Sequence, residues 1–135
     1  VGLDVAFFAK KSVFWFPLGH VLRLLGASEL DRSRAVNAVQ QAIDEFEKRE
    51  TLYFGLAPEG TRALKPGWKS GFYRIARGAN VPVYIGFLDF GRKRIGIGPK
   101  VVLTGDPDVD LAVIRKHYEG ILGRWPEQAS PIEFS

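Results

Sequence analysis

The sequence contains no cysteine and only two histidines in 135 residues. The lack of cysteine excludes a disulfide framework, a thiol nucleophile and a cysteine-ligated zinc or iron–sulfur site. Two histidines are too few for a multi-histidine metal centre. We therefore expect neither a metal site nor another cofactor in this chain.

The sequence also lacks any apolar run of about 18 residues, the length at which a transmembrane helix is expected. No basic, apolar and small-residue leader pattern stands at its start, so we expect a cytoplasmic protein. Methionine is absent as well and the chain begins at Val1, which leads us to expect a fragment of a longer protein. The length and the 46% content of hydrophobic residues are typical of one globular domain.

Short apolar runs alternate with segments whose apolar residues recur at helical spacing. The runs predict strands at residues 5–10, 28–30, 51–57, 81–90 and 94–103. The helical spacing predicts helices at residues 17–26, 33–49, 68–79 and 106–123. This alternation is typical of an α/β fold. We therefore expect a largely parallel sheet flanked by helices, in a single domain over residues 1–135.

Positive charge is concentrated in the middle of the sequence. Residues 51–100 contain nine basic and two acidic residues, a net charge of +7, whereas the whole chain has a net charge of +4. Such a segment favours an anionic partner, which is a phosphate-bearing small molecule, a membrane surface or nucleic acid. A solvated face without a partner is the alternative. No strand interleaves aromatic and basic residues as single-strand binders do, so we expect no nucleic-acid partner.

The segment Leu-Ala-Pro-Glu-Gly-Thr-Arg at residues 56–62 lies between a predicted strand and a predicted helix. Ligands of open α/β sheets bind at such carboxyl ends of strands. Glu59 offers a hydrogen-bond acceptor, and Arg62 offers a planar cation suited to phosphate. Lys65, Lys69 and the N-terminus of the following helix would add positive potential. The alternative is a polar turn that contains an internal Glu–Arg pair.

A second candidate segment lies at residues 26–34. Asp31 and Arg32 stand between a predicted short strand and the N-terminus of a predicted helix, which is a natural site for an anion. The alternative is purely structural, because Asp31 and Ser33 also suit the cap of that helix.

Taken together, these segments resemble the glycerolipid acyltransferase family, specifically the 1-acylglycerol-3-phosphate and other lysophospholipid acyltransferases. Pro-Glu-Gly-Thr-Arg at residues 58–62 is similar to the family's third motif, with Ala57 in place of the usual Phe. Gly-x4-Asp-Arg at residues 26–32 is similar to its second motif. Segments similar to the family's Ala-Lys-x-(Glu/Ser)-Leu stretch, its Lys-x-Gly segment and its fourth motif lie at residues 8–19, 69–72 and 81–83.

The resemblance implies transfer of a fatty acyl chain to a hydroxyl of a glycerophosphate or lysophospholipid, in phospholipid biosynthesis. The implied donor is acyl-CoA or acyl carrier protein. The residues that it implies for binding the phosphate-bearing acceptor are Asp31, Arg32, Glu59, Gly60, Thr61, Arg62 and Lys69. It also implies that Lys10 or Lys11 helps to stabilise the developing negative charge.

The sequence departs from the family at the catalytic motif, His-x4-Asp. In that motif the histidine deprotonates the acceptor hydroxyl and the aspartate orients the histidine. Here Leu25 and Leu122 stand five residues after His20 and His117. We therefore expect the pair upstream of Val1 and expect this chain to be an inactive, N-terminally truncated piece. The alternative is a relative that binds phospholipid without turning it over.

The resemblance further implies a protein that is peripheral on the cytoplasmic face of a membrane. Phe14, Trp15 and Phe16 follow Lys10 and Lys11, and such a cluster of rings and cations suits a membrane interface. Core packing is the alternative role of these three rings.

Overall fold

The computed structural model describes residues 5–9, 27–29, 35–60 and 64–135, and it describes side chains from residue 38 onward within these ranges. Contacts divide the chain into two units, Val1–Leu56 and Ala57–Ser135. Each unit is considered by itself below. Among the described residues, no helix combines the length and the apolar content needed to cross a membrane.

The first unit contains a three-stranded parallel sheet. Strand β1 (Val5–Ala9) lies in the centre and pairs in parallel with both β2 (Ala27–Glu29) and β3 (Tyr53–Gly55). Parallel strands need a crossover connection, and helix α1 (Ala35–Lys48) lies on the connection from β2 to β3. The three strands match predicted strands in position. The predicted helix at residues 17–26 lies outside the described residues.

Helix α1 buries one narrow face. Ala42 is 1% exposed, and the ring centroid of Phe46 lies 6.1 Å from that of Phe54, in the segment of β3. On the solvent side, Glu45 forms an ion pair of 3.1 Å with Arg49. The helix therefore shows the apolar and charged faces that the spacing of its sequence predicts.

The second unit contains α2 (Gly71–Ala79), the strands β4 (Val83–Asp89) and β5 (Arg94–Val101), α3 (Pro107–Tyr118) and a 3₁₀ turn (Pro126–Gln128). Strands β4 and β5 pair antiparallel, because the four residues between them are too few for a crossover. The buried residues of this unit form one core. Its members are Trp68, Tyr73, Ala76, Ile85, Val101, Leu103, Leu111 and Ile114.

These observations confirm the α/β class but correct the sheet. Within the described ranges, the parallel sheet consists of three short strands, and β4 and β5 form a separate antiparallel sheet. A largely parallel sheet is therefore not shown. The reason is the tight turn after β4, where Asp89 accepts hydrogen bonds from both the backbone N–H and the guanidinium of Arg92.

Helix α2 begins three residues later than its apolar spacing predicts. Trp68 stands at the first position of the predicted stripe, but it forms an isolated parallel bridge with Phe134 instead. Its backbone N–H and C=O are thereby used outside a helix. The helix ends as predicted near Asn80, which has a φ of 54° and whose backbone N–H donates to carbonyls of the last turn.

Helix α3 is anchored at its start by two aspartates. Asp106 caps the helix by accepting from the backbone N–H groups of Asp108 and Val109. Asp110 is 2% exposed, and its carboxylate accepts from the Tyr73 hydroxyl at 2.7 Å. The helix ends at Tyr118, earlier than predicted, and the chain beyond it bonds to the turn after β4 through Phe90 N–H and Leu122 O.

Candidate functional site

The turn that carries Glu59 and Gly60 follows β3 in the sequence. Gly60 N–H donates to Ala57 O over 3.1 Å, which closes the turn. Gly60 has a φ of 66°, a conformation that glycine adopts without the steric cost of a side chain. The conformation of the turn itself therefore favours glycine at position 60.

Lys69 lies directly over this turn. Its backbone N–H donates to Pro58 O over 2.9 Å. Its side chain is so near that a Cβ at Gly60 would lie 3.5 Å from Lys69 Nζ and 3.4 Å from Cε. Lys69 precedes α2 rather than forming part of its exposed face. The hydrogen bond of its backbone to Pro58 therefore holds the ammonium group near the glycine.

The other side of the turn is held by a residue far away in the sequence. Glu59 Oε2 accepts a hydrogen bond from the backbone N–H of Ser130 at 3.4 Å. Ser130 Oγ in turn accepts from the backbone N–H of Lys65 at 3.0 Å. Ser130 is only 6% exposed, so these bonds lie at the edge of the core.

A cavity of about 280 Å³ opens at this turn. The residues that line it are Glu59, Gly60, Lys65, Pro66, Gly67, Lys69 and Ser135. The side chains of Lys65 and Lys69 supply two cations, and Glu59 supplies one carboxylate. Ammonium groups bind phosphate as point charges, and a carboxylate accepts hydrogen bonds from hydroxyls. The cavity thus has the chemistry to hold a small phosphorylated alcohol.

The structure brings together three of the predicted site residues, Glu59, Gly60 and Lys69. The remaining predicted site residues lie outside the described residues. They are Lys10, Lys11, Asp31, Arg32, Thr61 and Arg62. The predicted membrane cluster at residues 14–16 and His20 lie outside them as well.

Some of these remaining residues come shortly after a parallel strand in the sequence. Because β1, β2 and β3 are parallel, their carboxyl ends lie at one edge of the sheet. Lys10 directly follows β1, and Asp31 follows the end of β2 by two residues. Pro58 follows the end of β3 by three residues. Each predicted motif thus comes after a strand that ends at the same edge.

Sequence reasoning missed the residues at the C-terminal end of the chain. Ser130 and Ser135 contribute to the site, yet the sequence after Arg124 shows no periodicity. Ser130 is separated from Glu59 by 71 positions. No local pattern signals such a contact, because only the folded chain brings the two segments together.

The groups with shifted pKa values lie apart from the residues that line this cavity. Burial and the bond to Asp110 raise the pKa of Tyr73. Burial by itself would raise the pKa of Asp110, but hydrogen bonds from Thr104, Tyr73 and Gly105 lower it below its ordinary value. Burial raises the pKa of Tyr118, whose hydroxyl donates to Gly86 O. These groups have structural roles in the core of the second unit.

His117, the one histidine in the described ranges, is an exposed residue in the last turn of α3. It does not line the cavity. Over the described residues, no group of three or more His, Cys, Asp or Glu side chains is placed to hold a metal ion.

Comparison with known proteins was made over the whole chain. A sequence model of the acyltransferase family matches residues 2–85, which is more than half of the chain. The match includes the Glu59 turn and Lys69 but not the C-terminal residues that contact them. No curated protein and no solved structure gives a significant match. Since the family model covers more than half of the chain, from residue 2 into β4, this protein belongs to the acyltransferase family.

Proposed function

We propose that this chain is part of a single acyltransferase domain that acylates a glycerophosphate or lysophospholipid in phospholipid biosynthesis. The acyl donor is a thioester of coenzyme A or of acyl carrier protein. Family membership supports acyl transfer in general. The observation that carries the choice of acceptor is the cavity where Lys65 and Lys69 lie beside Glu59 and Gly60.

In this proposal the cations take the phosphate of the acceptor. Lys69, Lys65 and Arg62 provide positive charge, and Gly60, which has no side chain, lets the Lys69 ammonium group lie against the turn where the acceptor binds. Glu59 accepts a hydrogen bond from a hydroxyl of the glycerol unit.

Asp31, Arg32 and Thr61 complete the acceptor site in this proposal, and Lys10 or Lys11 stabilises the oxyanion that forms during transfer. Their support is the resemblance, and for Lys10 and Asp31 also their positions just after β1 and β2, which end at one edge of the sheet. We also propose that β1, β2 and β3 belong to the largely parallel sheet that the alternation of strands and helices predicts.

Acyl transfer needs a base that removes the proton of the acceptor hydroxyl. The alkoxide then attacks the thioester carbonyl, the carbon–sulfur bond breaks, and the thiolate takes up the proton. The 135 residues contain no His-x4-Asp pair, and the resemblance implies that such a pair supplies the base. We propose that the pair lies upstream of this chain, so that the 135 residues alone bind the acceptor without catalysing transfer.

The proposed location follows from the proposed substrate. A lysophospholipid and a fatty acyl product both partition into a bilayer, so the enzyme works as a peripheral protein at the cytoplasmic face of a membrane. The net charge of +7 over residues 51–100 favours attachment to anionic headgroups.

A phospholipid-binding relative without catalysis is the second candidate. It is favoured by the same lack of a His-x4-Asp pair in these 135 residues. An acyl-transfer assay on a longer chain that includes His-x4-Asp separates the two. Turnover supports the enzyme, whereas acceptor binding without turnover supports the binding protein.

The acceptor site is tested in that longer chain by Arg62→Ala and Lys69→Ala, with Lys116→Ala on the exposed side of α3 as the matched control. Both site variants should raise the KM for the phosphate acceptor about tenfold or more, because each removes a charge-assisted contact. The KM for the acyl donor should change little. Equal changes in both KM values would show that Arg62 and Lys69 act on the structure rather than on the acceptor.

A further inference from the structure

The last seven residues of the chain, 129–135, are called the C-terminal strap here. They run beside Trp68, at the base of the candidate cavity. Trp68 N–H donates to Glu133 O over 2.7 Å, and Ser135 N–H donates to Trp68 O over 3.2 Å. The strap is therefore joined to the loop before α2 by backbone hydrogen bonds in both directions.

Aromatic packing fixes the strap on its other side. The ring centroid of Phe134 lies 5.6 Å from that of Tyr73 and 6.0 Å from that of Phe72. Ile132 packs against the same core. This packing buries apolar surface independently of the cavity, so the strap has a defined position before any ligand binds.

Ser130 connects the strap to Glu59, within the predicted acceptor motif, and to Lys65, which follows the motif. Its N–H donates to Glu59 Oε2, and its hydroxyl oxygen accepts from Lys65 N–H. The sequence places Thr61 and Arg62 between these two attachment points. One buried serine thus bonds to a residue before them and to a residue after them in the sequence.

Gly67 shows how closely the strap approaches the cavity. A Cβ at this position would lie 2.4 Å from Glu133 O and 3.1 Å from Ser135 N, so any larger residue would displace the strap. Ser135 itself lines the cavity together with Glu59 and Lys69. The strap is therefore a wall of the cavity rather than an appended tail.

We propose that the C-terminal strap is the wall of the acceptor pocket and that Ser130 is a positioning residue for Glu59 and Lys65. The inference rests on the proposed function. Ser130 N–H holds Glu59 Oε2, while Oε1 has no hydrogen bond to any described residue. That arrangement occupies Oε2 and leaves Oε1 for an acceptor hydroxyl.

The first test uses the 135-residue chain and glycerol 3-phosphate as the probe, with binding measured by calorimetry. Ser130→Ala removes the acceptor of the Lys65 N–H and should weaken binding about tenfold. Gly67→Ala should weaken binding by a similar factor, because its methyl group pushes the strap outward. Gly123→Ala is the matched control, since a Cβ there meets nothing within 4 Å.

The second test needs no substitution and therefore does not depend on how the variants fold. Backbone hydrogen exchange of the wild-type chain is measured with and without glycerol 3-phosphate. The amides of Trp68, Ser130 and Ser135 should exchange more slowly when the probe binds. The amide of Phe90, which bonds to Leu122 O in the β4–β5 turn, should not change and serves as the reference.

The outcomes separate this inference from the proposed function. If the wild-type chain binds the probe and Lys69→Ala weakens binding, the acceptor site stands. The strap inference is then overturned if Ser130→Ala and Gly67→Ala bind as Gly123→Ala does, or if the strap amides keep their exchange rates. If the wild-type chain does not bind glycerol 3-phosphate, the proposed acceptor site fails and the strap inference fails with it.

Discussion

Replacing Asp110 should destabilise the second unit more than replacing any other charged residue described in it. The Asp110 carboxylate accepts from four donors. Oδ1 accepts from Thr104 N–H and from the Thr104 hydroxyl, both at 2.9 Å. Oδ2 accepts from the Tyr73 hydroxyl at 2.7 Å and from Gly105 N–H at 3.3 Å. These bonds join α2, the loop after β5 and the start of α3.

The size of the effect follows from which donors are left without a partner. Tyr73 is 8% exposed, so its hydroxyl cannot turn to water in the Asp110→Ala variant. A buried donor without a hydrogen-bond partner lowers the free energy of unfolding by about 1–3 kcal/mol, and the loss of the partner of the partly buried Thr104 N–H lowers it by a similar or smaller amount. We expect Asp110→Ala to lower the free energy of unfolding by about 3–4 kcal/mol.

Asp110→Asn should cost less, about 1–2 kcal/mol, because an amide oxygen still accepts and the Thr104 hydroxyl can rotate to accept from the new NH₂ group. Tyr73→Phe should cost about 1 kcal/mol, since it removes a donor without stranding one. The assay is urea unfolding of the 135-residue chain at pH 7, with constant m-values as the check that only stability changes.

The same network predicts a dependence on pH. The pKa of Asp110 is lowered in the folded chain, so its contribution to stability is present above the unfolded pKa of about 3.9 and is lost as the pH falls through the folded pKa. The stability difference between wild type and Asp110→Asn should therefore shrink in acid. A cost below about 1 kcal/mol for Asp110→Ala, or a difference that does not change with pH, would refute this account of the network.

Three further predictions concern the second unit. Ile114→Ala should lower the free energy of unfolding by about 2–5 kcal/mol in urea, because the side chain is 2% exposed, whereas Val113→Ala should cost far less. Lys93→Gly should raise the stability measured by thermal unfolding by about 0.5–1 kcal/mol, because Lys93 has a φ of 52°. In an NMR titration, Arg92→Ala should raise the pKa of Asp89. Burial raises this pKa, but the hydrogen bonds from Arg92 and Leu122 and the charge of Arg92 have the larger effect and lower it below its ordinary value.

Much of the fold is predictable from local spacing. The apolar stripes of α1 and α3 and the positions of the strands follow from residues that are close together in the sequence. The end of α2 at Asn80 is predictable for the same reason, because a left-handed cap needs only a residue that tolerates positive φ. These features depend on contacts within one or two turns of the chain.

The predicted start of α2 is wrong because a distant segment forms hydrogen bonds with the backbone groups that the first turn of the helix would use. Trp68 has the right spacing for the first apolar position of the helix, yet its N–H and C=O bond to Glu133 and Ser135. The same kind of contact explains the cavity wall. Glu59, Gly60 and Lys69 were expected together because they lie within eleven positions, whereas Ser130 is 71 positions from Glu59.

The amino-acid order alone was sufficient to identify the acyltransferase family and the α/β class, and it predicts an acceptor site, because motifs and apolar periods are local properties. Folding decided how the strands divide between a parallel and an antiparallel sheet, where α2 begins, and which residues enclose the Glu59 turn. Backbone hydrogen bonds between distant segments carry no sequence signature, since every residue except proline offers the same N–H and C=O groups. The C-terminal strap therefore became visible only in the tertiary structure.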